Sequence, residues 1–329
     1  MINIEKFLEK YYREDEYVIL ACSAWPDSMF LLYKILETKY KKKLVVCHFN
    51  HQTRPETQEE ENFLLELSKK NNFKLEIASA NFEKLKKLYP SKSFEELARE
   101  KRYQFFDAIL NIYKTNKIIL AHHLDDKIET FFFNLIRGSK LTWLINMTEQ
   151  SWSILRPLLN IEKKQILDYL DKNNLKYFID SSNFSLDYSR NYLRNEIIPK
   201  FEKINSNYKK NIQNTLLYFE ELKEYLDREV ELFLENQIFL IWNSFKYKDF
   251  LKEKNIKWGF FIEHFNNLTS LLQKEIIRYI FYISNWKATI WLSQKNIDEI
   301  LKFINWKNNK TKKQIKNLNM KKENDIILF

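Results

Sequence analysis

Glycine is almost missing from this chain of 329 residues: it occurs twice, where an average usage of about 7% would supply roughly 23. Turns, helix ends and phosphate-cradling loops that ordinarily draw on glycine's freedom at positive φ must be built here from other residues. Cysteine is as scarce. Cys22 and Cys47 fall inside apolar, strand-like runs without metal-ligand spacing, which argues against a disulfide framework or a cysteine metal site and for buried thiols in a reducing compartment. No apolar run reaches the ~18 residues of a membrane span, and no charged-then-apolar leader is seen, so no membrane partner and a cytoplasmic location are expected. Internal repeats are not evident.

What the chain has in quantity is Lys, Asn, Ile, Phe and Tyr, with eight tryptophans. Its 54 Lys and Arg exceed its 44 Asp and Glu, for a net charge of +10. That balance suits an acidic partner such as RNA, or simply a soluble basic surface. Short apolar runs at Val18 to Cys22, Leu44 to Phe49, Leu75 to Ala78 and Ile118 to Ala121 alternate with helical periodicity over 28–40, 57–72 and 93–114. This alternation predicts an α/β fold, a doubly wound parallel sheet whose ligands bind beyond the carboxyl ends of the strands. From about Asn205 the pattern changes, because Leu216, Phe219, Leu222, Leu226, Val230 and Phe233 recur at three and four residues. A boundary near 200–206 is predicted, with one domain over 1–204 and a smaller, mostly helical one over 205–329. Leu268 to Ile283 and Ser293 to Ile304 are its clearest later helices, and the Lys/Asn-rich end from Lys310 is a small hairpin or a basic tail.

The residues able to carry chemistry cluster at the predicted strand ends. Ser23-Ala24-Trp25-Pro26-Asp27-Ser28 lies between the first strand and the next helix, with Asp27 or Ser28 expected as its cap. Such a turn is either a plain connection or a phosphate site, and a tryptophan in its middle sits badly with the second use. His122 and His123, followed by Asp125, Asp126 and Glu129, offer a divalent-ion site or acid/base groups. Acidic residues complementing a helix dipole would explain the carboxylates but not the paired imidazoles. Glu95, Arg99 and Arg102 share one helical face, as an ion pair or as a phosphate-holding arginine. His48 and His51 flank a strand end, and Arg190 and Arg194 lie four apart, forming a solvated face or contacting a nucleic-acid backbone.

Taken together, these stretches resemble the tRNA(Ile)-lysidine synthetases, members of the PP-loop ATP pyrophosphatases. Residues 23–28 stand where that family has Ser-Gly-Gly-x-Asp-Ser. His48-Phe49-Asn50-His51, Ala98-Arg99 with Arg102-Tyr103, and Ala121-His122-His123-Leu124-Asp125-Asp126 with Glu129-Thr130 follow in order. Asn134-Leu135-Ile136-Arg137-Gly138, Arg156-Pro157-Leu158-Leu159, Asp180-Ser181-Ser182-Asn183 and the Arg190-Asn191 and Arg194-Asn195 pairs complete the series over 17 to about 200. The resemblance is looser beyond 205. It implies ATP and Mg²⁺ as cofactors, and isoleucine tRNA with a CAU anticodon and free L-lysine as partners; a homodimer is left open. ATP would adenylate C2 of the wobble cytidine, and lysine would then displace AMP to give lysidine.

By motif position, Ser23, Ala24, Trp25, Pro26, Asp27 and Ser28 would hold the ATP phosphates, and Asp27 and Asp126 the metal. Arg102 would offset charge in adenylyl transfer, His122 would orient or exchange a proton near the base, and Arg190 and Arg194 would grip tRNA. Other PP-loop enzymes fit less well: tRNA thiolases generally use cysteines this chain does not pair, and amidotransferase relatives need an ammonia source. A tRNA-binding protein that has lost catalysis through Trp25 is the remaining alternative. The resemblance also puts glycine at Trp25, and Trp143, Trp291 and Trp306 have similar surroundings. With glycine so rare, several or all of the eight tryptophans are expected to stand for glycine, encoded by UGA codons that the source reads as Gly. The other account is an unusual codon bias with a degenerate loop, in which a literal Trp25 leaves the loop backbone in place and its ring obstructing or flanking the pocket.

Overall fold

Val18, Ile19 and Leu20 are completely buried in succession, which requires packed layers on both faces of the strand they form. The computed structural model describes residues 2–50, 57–145, 147–179, 189–242, 258–284, 292–308 and 310–329. His51, the Asp180-Ser181-Ser182-Asn183 loop and Trp291 lie outside them, as does the side chain of Glu95. The chain divides into two compact units, residues 1–216 and 217–329.

The first unit runs through α1 (Ile4–Tyr11), β1 (Val18–Ala21), α2 (Pro26–Leu36), β2 (Leu44–Asn50), α3 (Thr57–Asn71), β3 (Lys74–Ser79), α4 (Phe82–Leu88), α5 (Phe94–Ile112) and β4 (Ile118–Ile119). It continues with α6 (Leu124–Ile136), α7 (Leu141–Leu144), the hairpin β5 (Gln150–Ser151) and β6 (Ile154–Leu155), α8 (Lys163–Lys172) and a single turn, α9 (Ser189–Tyr192). A π-helical turn over Leu193–Ile197 and a 3-10 turn over Ile198–Lys203 then lead to α10 (Tyr208–Trp242), which carries the chain into the second unit.

The six strands are ordered β3-β2-β1-β4-β6-β5. All pairs are parallel except the β5–β6 hairpin. Val18, Leu20 and Val46 pack on one face with Met29, Phe30, Leu32 and Ile35 of α2 and Ile166 and Leu170 of α8. Ile19, Val45 and Cys47 pack on the other with Phe106, Ile109 and Leu110 of α5. The predicted α/β doubly wound sheet is therefore present, and both cysteines are buried thiols. Apolar burial pushes the Cys22 thiol up to about 11, so it stays protonated.

Glycine's scarcity has a direct structural counterpart. Helices α3, α5, α6 and α8 each close with an amide bonded to the carbonyl five residues back: Phe73 to Ser68, Thr115 to Leu110, Ser139 to Asn134 and Leu175 to Leu170. The left-handed residue this closure needs is Gly138 only in α6, and Asn72, Lys114 and Asn174 elsewhere. Ala24 and Trp152 are also left-handed, at φ 63° and 56°. Trp25 is extended at φ −85°, Trp143 is helical within α7, and Trp306 is not among the left-handed residues.

In the second unit, Val230 and Leu234 of α10 pack with β7 (Gly259–Phe261), α11 (Ile262–Asn266), α12 (Ser270–Ser284) and α13 (Gln294–Ile304). The later helices fall where periodicity predicts them. The terminal segment is more than a hairpin or tail: β8 (Thr311–Ile315), β9 (Leu318–Glu323) and β10 (Ile326–Leu328) join β7 in a four-stranded antiparallel sheet ordered β7-β10-β9-β8. Buried Lys322 donates to the carbonyl of Ile304 at 2.8 Å and to that of Trp306, so an ammonium closes the C-terminal end of α13 where its dipole is negative.

Candidate active site

The strand order reverses between β1 and β4, so the loops leaving these neighbours open a crevice at the carboxyl edge of the sheet. After β1, the Cys22 amide still bonds the Cys47 carbonyl at 2.9 Å, and then the chain turns. The Ser23 amide donates to Ser28 Oγ at 3.1 Å, and Ser28 Oγ donates to the Trp25 carbonyl at 3.0 Å. Neither Asp27 nor Ser28 is the cap of α2, contrary to expectation. Trp25 is the capping residue, its side chain making no capping bond to the helix amides, because Pro26 has the fixed φ suited to the first helical position and starts the helix earlier. Ser28 thus clamps the loop, and Asp27 is left in the first turn with its carboxylate available to other groups.

Those groups come from α6 and α8. Lys163 Nζ lies 2.6 Å from both oxygens of Asp27, and His123 Nε2 lies 3.6 Å from Oδ1. His123 caps α6: its Nδ1 accepts the Asp126 amide at 3.4 Å, and Asp126 Oδ2 accepts the His123 amide at 3.0 Å. The same His123 Nε2 is 3.4 Å from Asp126 Oδ2, so one imidazole edge touches both carboxylates expected at the metal. Burial works to raise the Asp126 pKa, but the two imidazoles and the His123 amide hold it below the usual carboxylate range.

Behind this pair, Glu129 is 1% exposed and receives Arg194 Nε at 2.6 Å and Arg190 Nε. Arg194 also reaches Asp126 Oδ1 at 3.4 Å, and Arg190 donates to Thr130 Oγ1 at 2.7 Å. The arginines expected at tRNA are thus drawn onto the first turns of α6. Asp125 accepts the Lys163 amide at 2.8 Å and pairs with Lys209 at 2.6 Å, and Lys209 also meets Glu162 at 3.2 Å. Lys163 and Lys209 escaped the sequence reading; the only available signal was that the chain leaving Arg156-Pro157-Leu158-Leu159 must open a helix beside the same crevice.

His122 follows β4, half-buried, and its Nδ1 is buried without a hydrogen-bond partner among the described residues. Burial, with Arg156 and Arg102 nearby, outweighs Asp126 and brings the His122 pKa down to about 4, so the ring is neutral at neutral pH. Arg102 has no ion pair among the described residues. Burial and the like charge of Arg99 lower its pKa, against Tyr103. Arg99 lies with its guanidinium carbon 4.8 Å from the centre of the Tyr103 ring and bonds the phenol oxygen at 3.3 Å. Buried Arg156 donates to the Thr148 carbonyl at 3.0 Å. His48 is a structural tie rather than a crevice group, its Nδ1 2.9 Å from the Cys22 carbonyl.

The donor set suits a hard divalent cation. Asp27 and Asp126 supply two carboxylates at one imidazole edge, and no group of three or more His, Cys, Asp or Glu among the described residues forms a metal cage. Mg²⁺ is commonly held by one or two carboxylates with substrate phosphates and water completing the shell.

A family model described as PP-loop domain matches residues 1–201. Among curated proteins, the chain is 32% identical over 253 residues to a tRNA(Ile)-lysidine synthase of Mycoplasma mycoides, covering 72% of this chain and 62% of that protein. It is 29% identical over 239 residues to the one of Thermotoga maritima, covering 72% and 56%. It is also 28% identical over 295 residues to those of Staphylococcus aureus, covering 88% and 65%. The chain thus spans a little over half to just under two thirds of the length of these relatives. Among solved structures, a U34-tRNA thiolase from Methanococcus maripaludis superposes with TM-score 0.54 at 18% identity, over 68% of this chain and 77% of that one, a likeness of fold. Among the described residues, no helix is long and apolar enough to cross a membrane.

Proposed function

The chain belongs to the PP-loop family and, within it, to the tRNA(Ile)-lysidine synthetases; on that premise we propose that it uses ATP to ligate lysine to C2 of the wobble cytidine in CAU-anticodon isoleucine tRNA. The observation that carries this reading is the meeting of two motifs at one crevice. The loop after β1 and the entrance of α6 bring Asp27 and Asp126 to 3.6 and 3.4 Å from the same His123 nitrogen.

The first step joins the C2 oxygen of cytidine to the α-phosphorus of ATP and releases pyrophosphate. The Ser23 hydroxyl and the N-terminal end of α2 hold the phosphates, since a helix N-terminus favours an anion, while Ser28, whose proton goes to the Trp25 carbonyl, keeps the loop in shape for them. Asp27 and Asp126 hold Mg²⁺, which when bound neutralises charge on the phosphate oxygens. Arg102, unpaired among the described residues, offsets the negative charge that grows during adenylyl transfer. In the second step the lysine amine forms a bond to C2 and AMP leaves. The amine must shed a proton, and the neutral His122 ring, whose Nδ1 has no hydrogen-bond partner among the described residues, is suited to accept it. Arg190 and Arg194, aligned by Glu129, contact tRNA phosphates, and the unit from 217 onward supplies further basic contacts.

Nucleoside analysis of CAU-anticodon isoleucine tRNA incubated with the protein, ATP, Mg²⁺ and labelled lysine tests this. Labelled lysidine is expected; unmodified cytidine at saturating substrates would sink the ligase reading. Because Trp25 stands in the phosphate loop, a tRNA-binding protein without catalysis is the second reading. ATP/pyrophosphate exchange above background in the presence of tRNA would remove it.

A further inference from the structure

We propose that Lys163 is the resident counter-ion of Asp27 and competes with the divalent cation for that carboxylate. The inference rests on the reading of Asp27 as a cation ligand. Its basis is a seat rather than a passing contact, with the ammonium 2.6 Å from each oxygen of Asp27, the position a cation bound by both oxygens would take. The placement also runs against the local helix. Lys163 is the first residue of α8, and the first turn of α8 holds no acidic residue. A cation at the positive end of a helix is unfavourable without a partner, and Asp27 is that partner.

The backbone at this point is anchored independently of the ammonium. The Lys163 amide is fixed on Asp125 at 2.8 Å, while Asp125 is itself held by Lys209. The side chain is about one-third exposed, so its four-carbon stem can swing while its Cα stays in place. A divalent ion arriving with phosphate oxygens carries twice the charge of the ammonium and displaces it from Asp27. The displaced ammonium remains tethered at the same crevice, where the phosphates supply its next partner. Lys163 is therefore a positioning residue. It keeps the Asp27 carboxylate oriented before nucleotide binds, and it opposes metal binding by the protein alone.

The test uses the full chain without nucleotide or tRNA, with Mn²⁺ as the probe and free Mn²⁺ read by electron paramagnetic resonance. Lys163→Met is expected to bind Mn²⁺ on the order of tenfold more tightly than the starting protein, because a neighbouring positive charge at this partly exposed site is gone. Lys163→Arg should behave like the starting protein. The tightening should vanish when Asp27→Asn is added to Lys163→Met. Circular dichroism checks that each variant is folded, and Lys163→Gln serves in place of the methionine variant if that one is not. Unchanged Mn²⁺ affinity in the folded Lys163→Met protein, or no binding at millimolar Mn²⁺, overturns the proposal while leaving the ligase reading intact. If Asp27→Asn alone leaves Mn²⁺ binding as it was in the starting protein, Asp27 is not a ligand; the proposal then falls together with the metal assignment beneath it.

Discussion

A residue with a Cβ held at positive φ costs about 1–2 kcal/mol relative to the right-handed region, unless, like asparagine, it can bond locally. In this chain that cost falls unevenly. Asn72, Asn174 and Asn324 carry it with least strain, whereas Trp152 carries it at the first position of a two-residue loop joining Ser151 to its partner Ile154. With φ positive there, the hairpin has the geometry that selects glycine. Trp152→Gly should therefore raise stability by about 1 kcal/mol, read as a higher urea midpoint at unchanged slope. A lower midpoint would mean that contacts of the half-exposed indole outweigh the strain. Trp25 differs: at φ −85° it gains no strain relief from glycine, and the effect of Trp25→Gly belongs on ATP/pyrophosphate exchange. The proposal that tryptophans here stand for glycine thus has a separate physical test at each position, and a UGG codon at 25 would sink it there. His48 supplies a pH dependence. Burial lowers its pKa below the ordinary 6.5, so the unfolded chain takes up a proton before the folded one. Its contribution is complete above pH 6.5 and is lost as pH falls from there through the folded pKa, with a slope of at most about 1.4 kcal/mol per pH unit. His48→Gln should flatten that part of a stability-against-pH curve, and an unchanged slope would count against this account.

At the scale of elements, α6 shows what a linear pattern reveals and where it stops. The acidic first turn and the paired histidines at its entrance are legible in the sequence, but the pair divides in space. His123 spends its imidazole on the cap and on two carboxylates, while His122 keeps a buried nitrogen without a hydrogen-bond partner among the described residues. No periodicity distinguishes the two. The βαβ alternation was equally legible, because fully buried strands need apolar runs. The β5–β6 hairpin was not, having two residues in each strand, and neither was the sheet of the second unit, whose β7 and β10 have three each. The ion pairs of Asp27 with Lys163 and of Glu129 with Arg190 and Arg194 span more than sixty residues, a separation that local spacing cannot report. Glu129 anchors this network as a nearly inaccessible carboxylate facing two half-exposed guanidiniums. Glu129→Ala is expected to destabilise the first unit by about 2–3 kcal/mol, since partly buried charges lose their partner. The same loss should persist in a Glu129→Ala, Arg190→Ala, Arg194→Ala triple variant only if packing, rather than unpaired charge, is its cause; partial recovery of the denaturation midpoint is the expected result.

At the scale of the molecule, the two units are held by cores that share no residue. Leu20, Phe30, Leu32, Val46 and Ile166 belong to the first, and Val230, Phe260, Phe265, Ile280 and Ile300 to the second. Phe260 is the clearest single probe of the second core: it is fully buried and stacks on Phe265 with ring centres 4.5 Å apart and planes 8° from parallel. Phe260→Ala should cost about 3–5 kcal/mol, because a large buried side chain is lost and the cavity closes only in part. If each core folds as its own cooperative block, that loss stays local. Hydrogen exchange read peptide by peptide separates the cases. Amides of β7 and α12 should exchange faster in Phe260→Ala, while those of β1 and β2, on which the crevice is built, keep their protection. Equal acceleration in both sets would mean that the sheet beneath the crevice and the small antiparallel sheet unfold as one block. Stabilising either would then act on both, and the crevice could not be altered by mutation independently of the second unit.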